Sequence, residues 1–526
     1  MKNLIKILPI IVILFSSKSI SQQMNDSTFL EMVQRKSFDF FWMEANSNTG
    51  LIKDRTQTWA PSSIASVGFG LTSICIGVDN DWISRDAARD RVLTTLQTLW
   101  NGPQHSGATS VMGYKGFFYH FLNMSTGYRE WTSELSTIDS GLLLAGVIYV
   151  QQYFNQNETS ENNIRALADS IYRRVDWKFA MNYYPTLRME WSPEKGFSSN
   201  GWIGYNEAMI MYILALGSPT YSIDADSWTA WTSGYNWSTY YGLSYVIFPP
   251  LFGHQYSHCW IDFRLINDTF MKNKGITYFE NSRRATLANR EYCIQNPKGH
   301  AGYGPNVWGL TASDYPNGYI ARGAPPAEND EGTIAPTAAG GSIPFAPEVC
   351  IPTLKYMYDT YKNNLWGAYG FKDAFNIGKN WWGTDYIGID QGPIVLMIEN
   401  YKNNKVWDKF MQSPYIQAGL KKAGFTNLLD VNEEKNIIPT KLELFQNYPN
   451  PFNSSTTINF NLPNQDNIKI EVFDVLGKSI SVIADENMKA GNHTFNFNSN
   501  NISSGVYYYS LKTSNTNQFK SMHLLK

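Results

Sequence analysis

The chain changes its hydrophobic rhythm once, near Asn432. Ahead of that point apolar residues come in runs of helical length. They begin at Ser63 (Ile-Ala-Ser-Val-Gly-Phe-Gly-Leu), Asp139, Asn206 (Glu-Ala-Met-Ile-Met-Tyr-Ile-Leu), Asn281, Pro347 and Asp390 (Gln-Gly-Pro-Ile-Val-Leu-Met-Ile). Between several of them lie amphipathic segments, among them 29–45, 84–99 and 161–181. A helix that is apolar all round is buried, and one with a single apolar stripe lies over it. Their alternation over roughly 400 residues predicts a double-layered toroid, and the six apolar runs make it an all-α (α/α)6 barrel. Beyond Asn432 a polar linker, Glu433-Glu-Lys-Asn-Ile-Ile-Pro-Thr440, gives way to period-two alternation. Ile468-Lys-Ile-Glu-Val-Phe-Asp474, the turn Asp474-Val-Leu-Gly477 and the run Val506-Tyr-Tyr-Tyr-Ser-Leu-Lys512 predict a small all-β sandwich.

The N-terminus follows neither rhythm. Lys2 and Lys6 flank the start of Ile7-Leu-Pro-Ile-Ile-Val-Ile-Leu-Phe15, and Ser19-Ile-Ser21 supplies small residues for cleavage. This predicts a secretory signal peptide over 1–21, too short to span a bilayer and without the cysteine of a lipoprotein. No other stretch of ~20 apolar residues exists, so the mature protein is expected to be soluble. The expected division is 1–21 signal peptide, 27–425 helical domain, 426–441 linker and 442–526 sandwich.

A net charge of −2 and the absence of a basic stripe give no reason to expect nucleic acid. Aromatic residues reach 15%, with 17 Trp and 32 Tyr, against 17% charged residues. That surplus fits either a large aromatic core or a groove whose rings stack on the C–H faces of sugars. Cys75, Cys259, Cys293 and Cys350 stand in apolar or aromatic settings without metal spacing, and read as buried thiols.

Candidate chemistry collects just before the apolar runs. Asp139, Asn206-Glu207 and Asp390-Gln391 each open one, beside Trp131, Trp202, Tyr205 and Trp382. Helix capping accounts for a carboxylate there but not for the rings. Glycosidic bonds break between paired carboxyl groups, and the proton donor needs a pKa raised by burial. Glu207, leading straight into Ala-Met-Ile-Met, fits that donor. Glu134 and Asp139 would sit about 140° apart on one helix, so Glu134 must lie in the preceding loop if both face a cavity. His254 and His258 are spaced i, i+4, a zinc-binding pattern on a helix, but no further His or Cys ligand stands near. The expectation is therefore no metal and no cofactor, with His254 and His258 bonding sugar hydroxyls and Trp260 stacking. Asp262 and Arg264 could contact substrate or pair structurally. The long Gly- and Pro-rich stretch 304–326 offers Trp308, Asp314, Tyr319 and Arg322 as subsite contacts, and 330–345 lacks the Lys of a phosphate loop.

Two resemblances follow. Leu444-Phe-Gln-Asn-Tyr-Pro-Asn-Pro-Phe-Asn453, Phe473-Asp-Val-Leu-Gly477, Ser504-Gly-Val-Tyr507 and Leu524-Leu-Lys526 resemble the C-terminal sorting domain of the type IX secretion system, implying export across an outer membrane. Phe38-Asp-Phe-Phe-Trp42, Gly50-Leu-Ile-Lys-Asp-Arg55, Ser63 to Gly70, Glu134-Leu-Ser-Thr-Ile-Asp139, Tyr205-Asn-Glu-Ala208, Phe252 to Arg264, Trp308 to Asp314 and Ala335-Pro-Thr-Ala338 resemble the glucoamylase-like domain of glycoside hydrolase family 144. That resemblance implies an (α/α)6 barrel acting on β-1,2-glucan with inversion, and puts Glu207 and the Glu134/Asp139 segment on acidic positions tied to activity.

The combined expectation is a secreted or cell-surface monomer, an endo-acting β-1,2-glucanase with catalytic Glu207, Asp139 and Glu134. Trp131, Tyr205, His254, His258, Trp260, Asp262, Arg264, Trp308, Asp314, Arg322, Trp382 and Asp390 are the expected substrate contacts. Its partners would be the glucan and the type IX machinery. An exo-acting enzyme releasing sophorose, a lyase, and a glycan-binding protein without turnover are the competing readings.

Overall fold

The computed structural model describes residues 24–428, 441–499 and 502–525; the expected signal peptide and most of the expected linker lie outside them. The chain divides into two compact units after Phe425.

In the first unit the most apolar helices are buried nearly end to end. Ile64–Asp79 has every residue from Ile64 to Gly77 buried, and Met209–Gly217 is buried throughout. Ile64–Asp79 packs between Thr137–Tyr153 and Gly388–Asn403, and Thr137–Tyr153 packs in turn on Met209–Gly217. From there the path continues through two single-turn 3-10 helices, Leu251–His254 and Ser257–Cys259. The Ile210 amide donates to Ser257 Oγ at 3.0 Å. Gln255 Nε2 donates to Ala338 O and Ser342 Oγ, both at 2.8 Å, which ties these turns to the short helix Pro336–Gly340. That helix packs on Gly388–Asn403, so the buried elements close on themselves in an α/α-barrel-type arrangement.

Amphipathic helices cover this ring. Asp26–Met43 lies over Gly388–Asn403 and Ile64–Asp79, Thr159–Arg173 over Thr137–Tyr153, and Pro414–Lys422 over Met209–Gly217. Two expectations need correcting. The segments at Asn281 and Pro347 are not inner runs: Tyr278–Gln295 and Pro347–Leu365 bury one face and lie against the 3-10 turns and Pro336–Gly340, which hold the inner positions instead. The amphipathic segment 161–181 is also two helices, Thr159–Arg173 and Trp177–Met181, separated at Arg174–Asp176.

The first two inner helices cross at glycines. A Cβ at Gly68 would stand 2.2 Å from Leu142 O, and one at Gly146 would stand 2.2 Å from Gly68 O. Side chains are therefore excluded there by backbone, which yields less readily than a side-chain tip.

Short strands pin the N-terminal ends of these helices. Ser62–Ser63 pairs with Phe121–Leu122, and Leu135–Ser136 pairs with Glu190–Ser192, which continues to Gly196–Phe197. Ser63 and Ser136 then cap their helices through side-chain oxygens. The loops carrying acidic residues are thus anchored within a residue or two of a strand.

The second unit is antiparallel. One sheet orders Glu443–Leu444, Ser455–Leu462 and Gly491–Asn498; the other orders Ser479–Met488, Asp466–Phe473, Gly505–Lys512 and Asn517–Leu524. Alternate residues such as Ile458, Phe460, Ile468, Ile470, Tyr509 and Leu511 form its own core. All four cysteines are buried and free, and no described helix is long and apolar enough to cross a membrane.

Candidate active site

Glu207 lies one residue ahead of Ala208, the N-cap of Met209–Gly217, and its backbone oxygen accepts from Ser257 Oγ at 3.2 Å. Its side chain is half-buried, and Oε2 is enclosed with no hydrogen-bond partner. Burial pushes this carboxyl up to about 7, opposed by a bond from its own backbone amide and reinforced by the Asp139 charge. It is a carboxylic acid that holds its proton near neutrality.

Asp139 occupies the first turn of Thr137–Tyr153. Its amide donates to Ser136 Oγ at 3.2 Å, and that hydroxyl donates to Asp139 Oδ2 at 2.5 Å. Glu134 does lie outside the helix, ahead of the strand Leu135–Ser136. Between the two carboxylates stands His120, which the sequence reading missed. Its Nδ1 is 2.7 Å from Glu134 Oε1 and its Nε2 is 3.8 Å from Asp139 Oδ2. Although burial opposes the charge, Asp139 and Glu134 raise the imidazole to about 9. Glu134, which burial alone would push up, is held below the usual glutamate range by this bond. Glu134 is therefore an ionised partner of an imidazolium. Among the described residues, His120, Glu134 and Asp139 also form the group able to hold a metal ion, with ligand atoms within 4.8 Å of one another.

A second carboxylate group surrounds Asp390, in the first turn of Gly388–Asn403. Asp390 is buried, hydrogen-bonds Asp373, and leaves Oδ2 enclosed without a partner. Burial and the adjacent Asp373 charge drive its carboxyl well above the ordinary aspartate range. Asp373, itself raised to about 7 by burial and the Asp314 charge, accepts from the Asp314 amide at 2.6 Å. Arg55 closes the group: Nη1 donates to both Asp314 oxygens at 3.1 and 3.0 Å, and Nε to Asp54 at 2.9 Å. Asp314 and Trp382 line a cleft of about 320 Å³ with Arg55 and Tyr319. Trp382 lies nearly parallel to Phe375, centroids 5.4 Å apart.

Several expected substrate contacts are corrected by burial. His254 and His258 are fully enclosed, the first bonded to Phe248 O at 3.1 Å and the second to Ser282 Oγ at 3.1 Å. They sit on 3-10 turns, not on one helix face. Trp260 and Trp308 are equally enclosed, donating to Thr72 Oγ1 at 2.9 Å and Thr353 Oγ1 at 2.7 Å. Arg322 is buried on Glu331 and Ser313, and Tyr205 is packed 4.8 Å from the His254 ring. Asp262 and Arg264 pair with each other, and Arg264 reaches Asn404, the residue capping the C-terminal end of the helix Gly388–Asn403 that carries Asp390 in its first turn. Asn404 lies roughly 21 Å along that helix from Asp390. These side chains build the core that the site stands on. Trp131 is the opposite case, 57% exposed.

Residues 199–414 match the family model described as "Putative glucoamylase", and 446–524 match the secretion system C-terminal sorting domain. A putative glucoamylase structure from Bacteroides uniformis aligns with a TM-score of 0.71 at 35% identity, covering 77% of this chain and 99% of that one. The endo-β-1,2-glucanase of Chitinophaga pinensis, solved with sophorotriose and glucose, aligns with a TM-score of 0.71 at 31% identity over 77% and 99%. An exo β-1,2-glucooligosaccharide sophorohydrolase acting at the non-reducing end, from Parabacteroides distasonis, is 32% identical over 433 residues, 76% of this chain. The chain spans 58% of that curated relative's length.

Proposed function

This chain belongs to the glucoamylase-like family, glycoside hydrolase family 144, and from that premise we propose that it hydrolyses β-1,2-glucan by general acid/base catalysis in an endo-acting, inverting (α/α)6 barrel. The observation that carries the reading is Glu207, a carboxyl whose pKa burial raises to about 7, with an oxygen free of protein partners. It protonates the departing glycosidic oxygen. Asp139, close enough to raise the Glu207 pKa, orients the water that attacks from the other face of the sugar. Glu134 and His120 fix Asp139 and set the local charge. Clefts beside Trp59 and beside Tyr319 favour an extended chain bound across the site, hence endo action. The sorting domain at 446–524 and the Lys-flanked apolar run near the N-terminus support export by the type IX route.

The test is a time course on linear β-1,2-glucan. Mixed oligosaccharides early, released as the α-anomer by NMR, are the expected result. Disaccharide alone from the first points would move the assignment to the exo reading, which the sophorohydrolase likeness favours. No product would leave a glycan-binding protein.

A further inference from the structure

From His120 a file of aromatic rings runs outward to solvent. His120 stacks on Phe121 with centroids 3.9 Å apart, Phe121 meets Trp131 edge-on at 5.5 Å, and Trp131 lies 6.3 Å from Trp59. The last two are open: Trp59 is 65% exposed and Trp131 57%. Two large rings left side by side in water contribute little to folding, and such surface marks a place that something else covers. Trp131 is moreover held at φ +53°, a left-handed conformation that costs a non-glycine residue free energy and persists only where the surroundings impose it. The surroundings are visible. Its neighbour Glu130 accepts from Asn123 Nδ2 at 3.0 Å, and Arg129 grips Ser133 O at 2.6 Å and both Glu194 oxygens at 2.8 and 3.1 Å.

Beside Trp59 lies a cavity of about 470 Å³, within the size range of small-ligand sites. Its lining includes Glu44, Lys53, Asn123, Ser125 and Glu130. Two of the charges there are matched to each other: Lys53 Nζ is 2.9 Å from Glu44 Oε2, and Tyr369 OH donates to Glu44 Oε1 at 2.7 Å. What remains are the Glu130 carboxylate, which accepts from Asn123 Nδ2, and polar groups of Asn123 and Ser125 next to flat apolar faces, a set that suits the hydroxyls of a polyhydroxylated ligand. The loop bearing Trp59 also bears Arg55, whose guanidinium lines the Tyr319 cleft, so one segment borders both cavities.

We propose that Trp59 and Trp131, with the cavity beside them, form a distal subsite that holds glucosyl residues of the β-1,2-glucan chain away from the bond being cleaved. It rests on the hydrolase reading above and adds to it a reason for preferring long chains.

The full-length protein and its Trp59→Ala, Trp131→Ala and doubly substituted forms are assayed on linear β-1,2-glucan and on the β-1,2-linked tetrasaccharide. The quantity read is the ratio of kcat/KM for polymer to that for tetrasaccharide. A fall of about tenfold in the double variant, carried by KM, is expected from loss of two stacking faces. Trp59→Phe and Trp131→Phe, which keep a ring, should recover most of it. An unmoved ratio, an equal loss on both substrates, or a fall that Phe does not recover overturns the subsite. If the unsubstituted protein leaves β-1,2-glucan intact, the hydrolase reading fails first and is recognised by that result alone.

Discussion

At the scale of single residues, protonation decides what each acidic group can do. As the proposed general acid, Glu207 donates only while protonated, so kcat should fall as pH rises through about 7. Replacing it by Gln removes the proton but keeps the shape. We expect kcat to drop by a factor of roughly 10²–10⁴ with glucan affinity retained, measured by reducing-end assay and calorimetry. Full activity in Glu207→Gln would sink its assignment. His120 works in the opposite sense. Its folded pKa of about 9 lies above the ordinary 6.5, so its stabilising effect is fully present below pH 6.5 and fades as pH climbs through 9. His120→Asn should therefore lose more stability against urea at pH 6 than at pH 10; equal losses would show the imidazolium to be irrelevant. Glu207 and Asp139 could be picked out of the sequence because each directly precedes an apolar run. His120 could not, since Phe117-Phe-Tyr-His120 looks like any aromatic stretch, and it is the pairing of Phe121–Leu122 with Ser62–Ser63 and of Tyr119 with Leu135 that brings it beside the helix starts. Asp373 was missed for a related reason: nothing local in sequence connects it with Asp390 or Arg55.

At the scale of elements, the helix crossing at Gly68 and Gly146 leaves no room for a methyl group. Gly68→Ala must push a backbone carbonyl aside, and should destabilise the helical unit by ~3 kcal/mol in urea titration. An unchanged midpoint would mean the crossing is looser than its geometry. Continuous apolar runs announced four inner helices, because burial on all sides leaves a composition that nothing else explains. The 3-10 turns 251–259 and the short helix Pro336–Gly340 escaped notice: too brief for a periodic signal, they are held by Gln255 and Ser257 instead. The same error made His254, His258, Trp260 and Trp308 look like sugar contacts. Rings and imidazoles crowd there as buried side chains bonded within the protein.

At the scale of the molecule, the two units have separate cores and divide after Phe425. A chain ending at residue 428 should fold cooperatively and cleave glucan at an undiminished rate, checked by circular dichroism and the same time course. Lost structure or activity in that shortened chain would show that the sandwich supports catalysis as well as export.

The closure of the ring also sets an order of events. Gly388–Asn403 is the last inner helix to leave the ribosome, yet it fills the gap beside Ile64–Asp79 and underlies Asp26–Met43. Gln34 Nε2 reaches across to Glu399 at 2.7 Å and to Val395 O at 3.2 Å, pairing residues more than 360 positions apart. Until synthesis has passed Asn403 the seam has no second edge, and the carboxyl of Asp390 has no place beside Asp373. A growing chain is thus kept from completing its fold, and stays threadable, over most of its length, which is the condition a polypeptide needs if it is to cross a membrane before it folds.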